Sequence, residues 1–173
     1  MNRFYSAIVA ILLAAAVAAA DAPVRAQAAE DNGIRKFGDW TMSCRPAAAG
    51  APPFCVLRED IIWRQTGKRV VSIALRRPKS QQSYVMSVTA PLGILLPAGL
   101  TLIVGEEEVV RFPLRICNVN GCQGSFALSD KVRDRLAGAT FGEVVFRQPN
   151  GRPLRVEFSL RGFKEAYAAL TAQ

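Results

Sequence analysis

Histidine is absent from the 173 residues. Without an imidazole, neither a Ser-His-Asp nor a Cys-His nucleophile can be assembled, and no histidine-containing zinc site can form. General acid–base work near neutral pH loses its commonest agent. A Ser–Lys or paired-carboxylate hydrolase survives this exclusion, so a histidine-free hydrolase stays as an alternative to the non-enzymatic reading adopted here. Beyond the N-terminal segment no apolar stretch approaches the roughly 20 residues that a membrane-crossing helix needs. Acidic residues are in deficit, with 14 Asp and Glu against 22 Lys and Arg, a formal net charge of +8.

The N-terminal segment has the order of an export signal: Arg3, then an apolar stretch from Ile8 to Val17, then small residues. Two cleavage points fit, after Ala20 in Ala18-Ala19-Ala20 or after Ala28 in Ala26-Gln27-Ala28. No cysteine lies near either, which argues against a lipid anchor. Residues 1–28 are therefore expected to be signal peptide and flexible leader, and residues 29–173 a single domain. Loss of Arg3, Asp21 and Arg25 leaves a net charge of about +7, which favours acidic surfaces as partners. Export disfavours nucleic acid among these; a protein or an anionic envelope or host surface is the expected partner. The mature chain is expected in the periplasm, secreted, or at the outer surface.

Four cysteines remain, Cys44, Cys55, Cys117 and Cys122, an even number that an oxidising compartment would pair. Three pairings exist on paper. The local one, Cys44–Cys55 and Cys117–Cys122, closes the shortest loops and is the expected one. Four residues separate Cys117 from Cys122, against two in thioredoxin-like redox centres, so a structural clip is expected.

From Phe37 onward, short β-type runs alternate with Gly and Pro: Trp40–Arg45, Phe54–Trp63, Arg69–Arg77, Tyr84–Thr89, Leu100–Val104, Val109–Cys117, Phe126–Leu128, Phe141–Arg147 and Leu154–Leu160. Several show the period-two pattern of half-buried strands. Val71, Ile73 and Leu75 share one face, as do Phe112, Leu114 and Ile116, and Leu154, Val156, Phe158 and Leu160. Asn150-Gly151 suits a hairpin turn. Two short helices interrupt the strands. Ser129 or Asp130 caps the first and Gly138 ends it; the second follows Gly162, with Phe163, Tyr167 and Leu170 as a stripe packing onto the sheet edge. The fold class is all-β: an antiparallel sandwich or flattened barrel with two short helices and two local disulfides.

Phe37-Gly38-Asp39-Trp40 leading to Cys44, the Pro91–Leu100 run, Arg115-Ile116-Cys117 with Gly121-Cys122, and Leu160-Arg161-Gly162-Phe163 occur in an order that resembles the invasion-associated locus B family of alphaproteobacterial exported proteins. The resemblance spans about residues 35 to 170. It implies a periplasmic or surface-associated β-sandwich, two local disulfides, and a link to host-cell invasion, and it brings no catalytic residues.

Three surface features are candidate sites. Arg111 with Arg115, and Arg155 with Arg161, would project from common strand faces and form a basic plate for anionic ligands if their strands are neighbours. Ile94, Leu95 and Leu96 form either an exposed partner patch or a buried connection. Glu106-Glu107-Glu108 reads as a solvated hairpin tip rather than a cation site. No cofactor, metal ion or catalytic residue is assigned. The function expected is that of a non-enzymatic binding protein of the bacterial envelope. The runner-up is a periplasmic accessory protein for envelope assembly or stress tolerance.

Overall fold

Apolar side chains at every second position give strands that can bury one face only, so two sheets must close on each other. The computed structural model, which describes residues 33–46, 50 and 52–173, contains eleven strands and two α-helices. The leader and both cleavage points lie outside the described residues. The strands are Ile34–Phe37 (β1), Trp40–Arg45 (β2), Phe54–Trp63 (β3), Lys68–Arg76 (β4), Val85–Ala90 (β5), Leu100–Val104 (β6), Glu107–Phe112 (β7), Leu114–Asn118 (β8), Gly121–Ala127 (β9), Phe141–Arg147 (β10) and Pro153–Ser159 (β11). A seven-stranded sheet runs β1-β2-β3-β4-β5-β9-β8, and a four-stranded sheet runs β11-β10-β6-β7. All pairings are antiparallel. Leu57, Ile73, Leu75 and Met86 from the wide sheet meet Leu102, Val144 and Phe158 from the narrow one in a single core.

The narrow sheet has too few strands to cover the wide one. The second helix, Phe163–Thr171 (α2), fills the difference by lying against β1, β2 and β3. It covers a sheet face there, rather than the edge expected from its apolar stripe. Phe163 packs edge-on to Trp40 at 5.2 Å between ring centroids, and both residues are fully buried. The first helix, Asp130–Ala137 (α1), starts as its sequence suggests: the Ser129 hydroxyl accepts a hydrogen bond from the Val132 N–H, and Gly138 ends it.

Three strand assignments are corrected, the simplest being Phe126–Leu128, which is the end of the longer β9, Gly121–Ala127. Val109–Cys117 is not one strand. Pro113 lacks the N–H that a continuing ladder needs, and the chain leaves the narrow sheet there to join the edge of the wide one. The register also slips between Leu114 and Ile116. Phe112 is thus buried at 4 % exposure while Ile116, expected on the same face, is 57 % exposed. The third correction is β1, which begins directly after Gly33 in a stretch with no hydrophobic period. Its side chains are mostly exposed, and pairing of Ile34 through Phe37 with β2 holds it.

Both disulfides join directly opposed residues of neighbouring strands: Cys44 with Cys55 across β2 and β3, and Cys117 with Cys122 across β8 and β9. Loops of this length contribute roughly 2–3 kcal/mol each by restricting the unfolded chain.

Candidate functional site

The two outer faces of the sandwich differ sharply in charge. Strand registers place Lys36, Arg45, Arg58, Arg69 and Arg76 outward on the wide sheet. Asp60 is the one carboxylate in the outward strand positions of that sheet among the described residues, and it sits 3.8 Å from Arg69. On the narrow sheet, Arg111, Arg147 and Arg155 alternate with Glu108, Glu143 and Glu157, so that face is close to neutral. Among the described outward strand positions, the basic excess lies on the wide sheet.

The middle of the basic face is paved with short polar side chains. One cross-strand row runs Asp60–Ser72–Thr89–Gln123, and the next runs Arg58–Ala74–Ser87–Ser125. Ser72 and Ser87 point outward yet are only 5 % and 7 % exposed, because longer neighbours stand above them. The result is a groove of about 290 Å³, with Ser72, Ala74 and Thr89 as its floor. Arg58 and Arg69 stand on one side, and Gln123 with Asn118 of the β8–β9 hairpin on the other. The hairpin is held rigid by the Cys117–Cys122 bridge and by the Asn120 N–H donating to Asn118 Oδ1 at 2.8 Å. Arg58 makes no ion pair among the described residues, which leaves its planar fork of donors available to a ligand.

A second polar assembly lies at one end of the sandwich. Ser159, the last residue of β11, accepts at its carbonyl from Trp40 Nε1 at 3.0 Å, and its N–H donates to Glu59 Oε1 at 2.8 Å. The Ser159 hydroxyl donates to Asp39 Oδ2 at 2.6 Å, and Arg161 Nε donates to the same oxygen at 3.0 Å. These two donors hold the Asp39 carboxyl below its ordinary range. Glu59 is in the opposite situation. It projects inward from β3, is 8 % exposed, and its Oε2 has no hydrogen-bond partner among the described residues. Burial drives its pKa up to about 7, against the Ser159 N–H, with Asp39 and Asp60 adding repulsion.

The family described as "Invasion associated locus B (IalB) protein" matches this chain over residues 40–171. The chain belongs to the IalB family. Two curated relatives are Invasion protein B homologs of Brucella abortus, one from strain 2308 and one from biovar 1 strain 9-941. Each is 24 % identical over 137 residues, covering 79 % of this chain and 78 % of the relative. The crystal structure of invasion associated protein b from Bartonella henselae superposes with a TM-score of 0.69 at 21 % identity, covering 80 % of this chain and 95 % of that one. That likeness shows the fold.

The motifs that carry the IalB resemblance now have a physical role. Phe37-Gly38-Asp39-Trp40 and Leu160-Arg161-Gly162-Phe163 interlock as a clasp between the two ends of the chain. Gly38 and Gly162 have φ of +57° and +82°. A Cβ on Gly38 would collide with the Arg161 carbonyl oxygen, and one on Gly162 with the Phe37 carbonyl oxygen. Only glycine permits this approach. Glu59 of β3 accepts the Ser159 N–H beside the clasp, and the alternation that buries Leu57 and half-buries Ile61 is the sequence signal that turns it inward.

The basic plate expected of this IalB chain is not assembled. Arg111 and Arg155 do share a cross-strand row, Arg111–Thr101–Val145–Arg155, but they occupy opposite edges of the narrow sheet, three strand spacings or ~14 Å apart. Each is neutralised, Arg111 by Glu108 at 2.8 Å and Arg155 by Glu143 at 2.6 Å. Arg115 belongs to the other sheet because the chain crosses at Pro113, and Arg161 is bound to Asp39 in the clasp at 2.9 Å. The apolar connection is divided: Ile94 and Leu95 are half-buried, with the Leu95 N–H tied to the Arg147 carbonyl at 2.8 Å, while Leu96 is 47 % exposed. The glutamate run turns at Glu106, and Glu107 pairs with Arg135 of α1 at 2.5 Å. A further cleft of about 520 Å³ opens beside Pro52, Pro53, Phe54 and Tyr84.

Proposed function

We propose that this IalB-family chain is an exported, non-enzymatic binding protein of the bacterial envelope that engages an anionic partner through the outer face of its seven-stranded sheet. The observation that carries this reading is the charge asymmetry: one face bears Lys36, Arg45, Arg58, Arg69 and Arg76 against a single carboxylate, and the opposite face is balanced. Fields of one sign concentrated on one surface steer and retain partners of the other sign. The address is supported by the closed disulfides, since such bonds persist in oxidising compartments, and by the signal-like residues 1–28, whose removal would release the mature domain. The names of the Brucella and Bartonella relatives support a connection with invasion, in which an envelope-facing binding surface would participate.

Fractionation of the native cells with thiol alkylation tests the address: the mature chain is expected outside the cytoplasm with no alkylated cysteine, and a cytosolic chain with four free thiols would overturn it. Sedimentation with isolated cell envelopes tests the surface. Binding is expected to weaken with salt and to fall about tenfold in the double variant Arg58→Glu, Arg76→Glu, whose side chains point to solvent. Undiminished binding by that variant would remove the basic face from the function.

A further inference from the structure

We infer that the groove on the wide sheet is a subsite for one uronic acid unit, a sugar ring bearing a carboxylate. This deepens the proposed binding function and rests on the same face, but it makes a separate claim about the ligand. Five properties of the groove select the class. Its lining carries two fixed charges, Arg58 and Arg69; Asp60, outside the lining, sits 3.8 Å from Arg69, which leaves one unpaired positive charge, a better match for a carboxylate than for the near-dianionic phosphate monoester. The unpaired Arg58 guanidinium is a planar fork suited to bidentate capture of a planar carboxylate.

The rest of the lining offers hydroxyls and amides at several angles: Ser72 and Thr89 on the floor, Asn118 and Gln123 on the far wall. Such groups both donate and accept, as a ring of sugar hydroxyls requires, whereas a simple carboxylic acid would leave them unused. The volume, about 290 Å³, stands at the lower end of small-molecule sites, which run from roughly 300 to 1,000 Å³, so a single ring fits and a longer chain must continue along the face. Among the described residues no aromatic ring lines the groove, so a neutral sugar gains no stacking surface there and depends on hydrogen bonds that water offers equally well. The charge therefore decides affinity. The basic residues outside the groove, Arg45 and Arg76 among them, would meet further carboxylates of a polyuronate.

The test is titration of the oxidised mature protein, followed by amide chemical shifts, with three probes: glucuronate, glucose and glucose 6-phosphate. Glucuronate is expected to give saturable shifts at Thr89, Gln123 and the Asn118–Gly121 turn. Glucose should give none at the same concentration. Arg58→Gln should weaken glucuronate binding by about tenfold or more, while Arg147→Gln, on the outer face of the other sheet, should leave it within about twofold. Equal binding of glucose, tighter binding of glucose 6-phosphate, no shifts with glucuronate, or an unaffected Arg58→Gln variant would each overturn the assignment. Failure here leaves envelope binding by the basic face intact, because that is read separately by sedimentation; loss of both would end the binding reading altogether.

Discussion

Glu59 makes the stability of this domain depend on pH in a direction opposite to that of an ordinary salt-bridged carboxylate. Its folded-state pKa is about 7, raised from 4.5 by burial. Below 4.5 the group is protonated in both folded and unfolded chains and contributes no difference. Between 4.5 and 7 the unfolded chain releases its proton while the folded chain keeps it, so stability falls as pH rises. Above 7 both states are ionised and the loss is complete. At about 1.4 kcal/mol per pKa unit the shift corresponds to an upper limit near 3 kcal/mol, and partial solvent access reduces this to about 1–3 kcal/mol. Asp39 does not blur the window, because its pKa is lowered from 3.8 and its own contribution is lost only at more acid pH.

The variant Glu59→Gln keeps an oxygen to accept the Ser159 N–H and removes the ionisation. It should therefore match the parent near pH 4 and exceed it by about 1–3 kcal/mol near pH 8, measured by urea unfolding with both disulfides intact. Stability curves that run parallel from pH 4 to pH 8 would refute the reasoning: the carboxyl would then not be desolvated in the folded state.

Two further outcomes follow from the clasp and the bridges. Gly162→Ala, which drives a methyl group into the Phe37 carbonyl at a positive φ, should cost at least about 2 kcal/mol in thermal or urea unfolding, whereas Gly151→Ala, at a similar φ in open space, should cost less. Replacing Cys44 and Cys55 together by Ser should cost about 3 kcal/mol and replacing Cys117 and Cys122 about 2 kcal/mol, in the order of their loop separations of 11 and 5 residues; a reversed order in urea unfolding would mean that the bridges act on the folded state instead.

How much of this was legible in the sequence depends on the range of the interaction involved. Trp40–Arg45, Phe54–Trp63, Leu100–Val104 and Phe141–Arg147 have the expected bounds, because each strand carries its own period and its own flanking Gly or Pro. The cap at Ser129 and the stop at Gly138 are equally local. Val109–Cys117 failed where a local rule met a tertiary one: the alternation continues in sequence through Pro113, but the partner sheet changes there. β1 was invisible since its bonds go to β2 and its side chains go to solvent. The arginine plate failed for the same reason as the long strand. Faces can be predicted within one strand, but neighbours depend on strand order, and no sequence pattern stated that β7 and β11 lie at opposite edges.

The groove follows from this distinction too. Ser72, Thr89 and Gln123 come from three strands, and each by itself is an unremarked polar position between apolar ones; only the order β4-β5-β9 lines them up. The clasp differs, because its glycines, tryptophan and aspartate must be those residues for the two chain ends to meet. A motif of that kind identifies the frame and constrains nothing on the outer face. Substituting Arg58 or Gln123 leaves every buried contact and every ladder hydrogen bond in place, so the same clasp, bridges and core can present a different outer surface without a cost in folding. Membership of the IalB family is therefore an argument about how this sandwich is held together, while the proposed binding rests on the short polar floor and the unpaired arginine that face solvent.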